Sequence, residues 1–153
     1  MKTIILGVGN LILGDDGIGI HVIHHLKKHI ENKDIVLDEA MTGGMNLLDK
    51  IIGYDKAILI DAVNIKEVAV GEVKRFLIQD FTSVHSCNPH DVSLIEAITL
   101  AETLGDKHIP KKIIVIGIVL HEMPLEFTET LSPKVAAAIP KAVEAVISEL
   151  NET

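Results

Sequence analysis

The residues best suited to chemistry are aspartates that close or follow apolar runs, and one histidine. Asp15 and Asp16 lie in a glycine-rich stretch, Gly7-Val-Gly-Asn-Leu-Ile-Leu-Gly-Asp-Asp-Gly-Ile-Gly19, Asp38 and Asp61 end two apolar segments, and His90 follows Pro89. Asp16, Asp61 and His90 together offer two carboxylates and one imidazole. That is a three-ligand set for a divalent transition metal, with positions left open for water or substrate. The two carboxylates would neutralise a dication and the neutral imidazole would complete the site. Spacing alone does not separate this from a structural role, because a buried aspartate at a strand end can equally satisfy main-chain donors.

To converge, these residues must be brought together by the fold. Thr3-Ile-Ile-Leu6 has the length and β-branched content of a buried strand, and a helical pattern begins near Asp16, so the glycine-rich stretch is the turn between them. Its spacing is close to a dinucleotide-binding turn, but Ile12 stands where the third glycine belongs. Asp15 and Asp16 would also repel a pyrophosphate at the helix N-terminus, while suiting that terminus themselves as caps. A nucleotide is therefore not expected here.

Ile18, Val22, Leu26 and Ile30 recur at helical spacing and predict a first helix through about residue 31. Asp34–Asp38 predicts a second strand, Met45–Ile52 a short helix, and Lys56–Val63 a central strand with Asp61 at its end. Val68–Ile78 alternates around Gly71 as an antiparallel edge strand would. Ser83–His90 reads as a loop, Ser93–Leu100 as a helix and Lys112–Val119 as another buried strand. A final helix runs from Pro133 to about residue 150, with Ser132 as its N-cap. This order predicts a mostly parallel twisted sheet with helices on both faces, a three-layer αβα domain spanning 1–153. Parallel strands would carry Asp16, Asp38 and Asp61 to one sheet edge.

Composition narrows the function classes. With 14 Lys and Arg against 22 Asp and Glu, the formal charge is -8, which disfavours nucleic acid as a partner and favours a cationic one. No apolar run reaches the ~18 residues of a spanning helix, so no membrane insertion is expected. A single cysteine, Cys87, permits no internal disulfide and fits a reducing cytoplasm.

Other candidate chemistries are weaker. His21, His24, His25 and His29 share a helix flank, where His21 with His25 could grip a metal, but such a row is more simply a solvated face. Cys87 lies near His85 and His90, yet the lowered pKa and oriented base of a cysteine peptidase are not visible in sequence. We expect Cys87 to be filler. His121-Glu122 begins like a zincin motif, but Pro124 and Leu125 do not continue it.

Gly-Val-Gly-Asn10 with Gly-Asp-Asp-Gly17, Asp38 followed by Thr42-Gly43, Ile-Asp61-Ala, Pro-His90, Gly117-Ile and Leu131-Ser-Pro133 together resemble the hydrogenase maturation endopeptidases. The resemblance runs in order over nearly the whole chain. It implies a cytoplasmic endopeptidase that removes the C-terminal extension of a nickel-iron hydrogenase large-subunit precursor after nickel insertion. Its metal-contacting residues would be Asp16, Asp61 and His90; Asp38 is our own candidate for a supporting role. The metal implied is nickel carried by the precursor, although other divalent transition metals could occupy such a site. We expect a monomer. Glu39 and Ala40 depart from the family pattern after Asp38, and Cys87 lies outside it. From a different class, a non-catalytic metal-binding or chaperone module could use the same residues to dock a metal-loaded partner.

Overall fold

The computed structural model describes residues 1–41, 45–83, 85–86, 90–106, 108–121 and 127–152; the side chains of 45–46, 81–83, 85–86 and 90–95 lie outside that description. Among the described residues, β1 (Thr3–Val8), β2 (Ile35–Ala40), β3 (Lys56–Asn64), β4 (Val73–Leu77) and β6 (Lys112–Val119) form the sheet's main path, in the order β2-β1-β3-β6-β4. A two-residue strand, β5 (His85–Ser86), pairs antiparallel with the end of β3. The helices are α1 (Ile18–Leu26), α2 (Met45–Ile51), α3 (His90–Thr103), α4 (Pro133–Ala136) and α5 (Ile139–Asn151).

β1, β3 and β6 are apolar almost without interruption and are buried along their length, because each is covered on both faces. One face packs Leu6, Leu59 and Val115 with side chains from α2 and α3; the other packs Ile5, Ile58 and Ile116 with α1 and α5. β1, β2, β3 and β6 are mutually parallel, and β4 closes the β6 edge antiparallel, as its alternation predicted. The edge strand is shorter than Val68–Ile78. Glu67, just before that stretch, takes φ 70° and Gly71, within it, φ 90°; residues 70–71 form a turn, and extended pairing starts only at Val73.

Two helices depart from their periodicity, one by ending early and one by breaking. α1 stops at Leu26, where His29 N–H turns back to Leu26 O at 2.9 Å, a three-residue closure that tightens the last turn. Ile30 still packs on the core from that turn, which is why the spacing ran on. The final helix is split into α4 and α5. Pro140 can neither donate to the carbonyl four residues back nor tolerate it sterically, so the helix begun at Pro133 breaks after Ala136.

The strand order has a functional consequence. The chain leaves β1 for β2 on one side and returns to β3 on the other, with α1 on one face and α2 on the opposite face. The carboxyl ends of β1 and β3 are thus a topological switch point, where open α/β sheets leave a crevice for ligands.

Candidate metal and catalytic site

Asp16 and Asp61 flank that crevice. Asp16 lies in a 3-10 turn, Gly14–Gly17, between β1 and α1, and is 1% exposed; Asp61 lies on β3 and is 2% exposed. Pairing of β1 with β3 ends at Gly7↔Ile60, so Asp61 is the first β3 residue beyond it, and the 3-10 turn packs against β3. Asp61 does not quite end its strand, since β3 continues to Asn64 beside β6.

Close approach of backbones makes this possible. A Cβ on Gly19 would lie 2.2 Å from Ile60 O, and one on Gly9, whose φ is 145°, would lie 2.1 Å from Asp16 O. Only glycine allows α1 to press its first turn onto β3 beside Asp61, and the end of β1 to fold under Asp16. Each carboxylate is oriented by a main-chain donor. Asn10 N–H donates to Asp16 Oδ2 at 2.8 Å, and Ala62 N–H donates to Asp61 Oδ1 at 2.8 Å.

His90 is the first residue of α3; its side chain lies outside the described residues. Its backbone is nevertheless placed at the same edge. Ser86 pairs with Val63, two residues past Asp61, and the four residues from Ser86 to His90 can span at most ~14 Å. The sequence pattern read Ser83–His90 as a loop, whereas His90 already opens the helix.

Asp38 faces the same side of the sheet as Asp61 but is set back, since Leu6 is level with both Asp38 and Leu59. With strands ~4.8 Å apart and ~3.3 Å per residue, its Cα is roughly 12 Å from that of Asp61. It accepts from Glu39 N–H at 2.8 Å and from Lys50 Nζ at 3.1 Å. Partial burial pushes its carboxyl up, but the Glu39 N–H and the Lys50 ammonium outweigh this and hold it below the usual aspartate value.

Asp15 does not cap a helix. Leu13 occupies the N-cap position of the 3-10 turn and no side chain caps it; Asp15 instead accepts from Ser132 N–H at 2.7 Å and Ser132 Oγ at 2.8 Å. Ser132 does stand at the N-cap of α4, with Pro133 following, but spends its hydroxyl on Asp15. Asn10 enters the sequence pattern only as part of the Gly-Val-Gly-Asn10 motif, with no role; its main chain holds Asp16 and its Oδ1 accepts from Ile12 N–H at 3.2 Å. An asparagine two residues before an amide it can receive is the Asx-turn signal that would have found it.

The histidine row is mostly solvent-facing: His24, His25 and His29 are exposed and His21 is half-buried. His24 Nε2 meets Glu39 Oε1 at 2.5 Å. Among the described residues no group of three His, Cys, Asp or Glu side chains is arranged to hold a metal. Asp16 and Asp61 supply two oxygen donors, and the imidazole that would complete the sequence-derived set is that of His90. Two hard carboxylates and an imidazole fit a divalent first-row metal. Cys87 lies outside the described residues. No helix among those described is long and apolar enough to cross a membrane.

Comparison with known proteins places the chain in a family. The profile of the hydrogenase maturation proteases of the HycI type matches residues 20–149. The hydrogenase 2 maturation protease of Escherichia coli is 29% identical over 156 residues, covering 100% of this chain and 93% of that protein. Among solved structures, the hydrogenase maturating endopeptidase HybD of E. coli superposes with a TM-score of 0.82 at 28% identity, covering 98% of this chain and 92% of that one. The [NiFe] hydrogenase maturation protease HybD of Thermococcus kodakarensis gives a TM-score of 0.76 at 28% identity, covering 99% and 100%.

Proposed function

The chain belongs to the hydrogenase maturation proteases, and from that premise we propose that it removes the C-terminal extension of a nickel-iron hydrogenase large-subunit precursor after nickel has been inserted. The observation that carries this reading is the pair of buried carboxylates, Asp16 and Asp61, held by main-chain donors at the β1/β3 switch point. Burying two acids at one crevice is costly unless a cation or hydrogen bonds compensate. A precursor that arrives with nickel would bring such a cation.

In this reading Asp16, Asp61 and His90 contact nickel whose other ligands belong to the precursor, so recognition and readiness are joined. A cation at this position polarises a nearby carbonyl or water. Asn10 and Ala62 hold one oxygen of each carboxylate and thereby set the direction of the other. Asp38 supports the site from β2, tying that strand to α2 through Lys50. The donor set contains no thiolate and would hold nickel less tenaciously than a sulfur-rich site. The isolated enzyme is accordingly expected to be largely metal-free, acting as a monomer in the cytoplasm.

Mobility of the precursor on a denaturing gel tests the proposal. Nickel-loaded precursor should shorten on incubation with the protein, and nickel-free precursor should stay intact. Asp61→Asn and His90→Ala should each abolish shortening while circular dichroism shows an unchanged fold. Binding of loaded precursor without shortening would favour a docking module instead, and efficient processing of nickel-free precursor would show that the metal is not the signal.

A further inference from the structure

The carboxyl edge also carries exposed apolar side chains that neither the core nor the proposed site uses. Ile12, Met41 and Phe127 are 48%, 56% and 81% exposed. Ile12 lies in the turn after β1, and Met41 directly follows β2, whose last carbonyl, Ala40 O, accepts from Gly9 N–H at 3.0 Å. Phe127 precedes Thr128, whose N–H donates to Ile12 O and whose O accepts from Gly14 N–H, both at 2.7 Å. Exposed apolar side chains on segments that leave the same sheet edge offer a surface that another chain can cover.

Two features define the occupant. The rim is continuous with the site: the turn presenting Ile12 is the one in which Asn10 N–H orients Asp16, so a chain lying on the rim passes the carboxylates. It also carries acid: Glu129, exposed, stands two residues after Phe127, and Glu39, two before Met41, meets His24 Nε2 at 2.5 Å, in a protein whose formal charge is -8. We propose that Ile12, Met41 and Phe127 dock an extended segment of the precursor adjoining its scissile bond, in which apolar side chains are interspersed with Lys or Arg. This rests on the processing activity proposed above.

The test uses the full-length protein and nickel-loaded precursor, with Ile12→Ser, Met41→Ser, Phe127→Ser and the triple variant. Leu104→Ser is the control, because Leu104 is 77% exposed but follows the far end of α3, away from the site. The triple variant should raise KM about tenfold or more, with kcat changed less than about twofold, as expected when ground-state and transition-state binding are lost equally. The control should match the wild type. An unchanged KM in the triple variant, with the wild type active, would overturn the rim while leaving the processing reading intact. Should the wild type process no precursor, the processing reading fails, and anisotropy of labelled precursor decides the rim alone: weaker binding by the triple variant supports it and equal binding overturns it. Size-exclusion chromatography adds a third outcome. A dimer of the wild type that the triple variant abolishes would assign the rim to a second copy and overturn the proposal.

Discussion

Asp15 and Ser132 are joined by two hydrogen bonds across 117 residues of chain, Ser132 N–H to Oδ1 at 2.7 Å and Ser132 Oγ to Oδ2 at 2.8 Å. This ties the turn that presents Asp16 to the start of α4. Ser132→Ala keeps the main-chain bond and should cost about 1 kcal/mol of stability, whereas Asp15→Ala removes both bonds and should cost about 2 kcal/mol, since charge-assisted bonds are the stronger kind. With Asp16 less firmly held, processing by Asp15→Ala should fall at least tenfold in kcat with the protein still folded. Thermal melts and single-turnover cleavage check the two parts separately, and wild-type kcat in Asp15→Ala would show that the clamp does not position the site.

How much of this arrangement the sequence discloses depends on the range of each interaction. β1, β3 and β6 are legible because burial on both faces leaves an apolar run, and Asp61 is visible as the acid that interrupts one. The family pattern reaches Asp16, Asp38 and His90 as residues, but their separation from one another is a property of strand order, which no local pattern contains. Asp15 reads locally as a cap because its partner is 117 residues away. Ile30 extends the helical spacing although the chain has already turned, because packing constrains where the side chain goes and not the backbone path that takes it there.

Gly19 makes a sharper geometric claim. A methyl group there would sit 2.2 Å from Ile60 O and 2.8 Å from Val8 O, both main-chain atoms that cannot rotate away. Gly19→Ala must therefore push α1 off β1 and β3 just where Asp16 and Asp61 meet the crevice. Overpacking of this kind costs about 1–3 kcal/mol, so a lowered melting temperature is expected together with loss of processing below that temperature. A variant as stable and active as the wild type would show that the first turn of α1 is not wedged between these strands.

His21 predicts the acid side of the stability profile. Burial pushes its imidazole below the ordinary value of 6.5, the neighbouring His24 adds to this, and the Glu129 main chain and carboxylate oppose it without prevailing. Among the described residues its Nε2 is buried without a hydrogen bond. The folded state thus takes up this proton less readily than the unfolded chain. The contribution is intact above pH 6.5 and is lost as pH falls from there towards the folded-state value. Asp38 works in a separate window, because its lowered pKa favours the folded state above 3.8 and is lost only at lower pH. Urea unfolding at about pH 7.5 and pH 5.5 should show a smaller drop in midpoint for His21→Asn than for the wild type. Equal drops would assign the acid sensitivity elsewhere.

At the opposite edge of the sheet, Glu149 near the end of α5 is 3% exposed and gathers two cations. Lys56 Nζ donates to Glu149 O at 2.6 Å and lies 3.6 Å from Oε2, while Arg75 Nε donates to Oε1. Lys56 opens β3 five residues before Asp61, roughly 17 Å away along an extended strand. Glu149→Gln leaves the buried Lys56 ammonium without its counter-charge, a change that typically costs about 3–5 kcal/mol. For a domain of this size that is a fall in melting temperature on the order of 10 °C. Replacing both partners, Lys56→Met with Glu149→Leu, removes the desolvated charges together and should recover most of the loss, with Arg75 free to turn to solvent because its side chain is 43% exposed. Neither variant should alter kcat for nickel-loaded precursor at temperatures where both remain folded, because the hub locks α5 to β3 and β4 without touching the crevice. Differential scanning calorimetry alongside gel-based processing separates the outcomes: a double variant no more stable than Glu149→Gln would mean that the packing at this site, and not the unpaired charge, sets the cost.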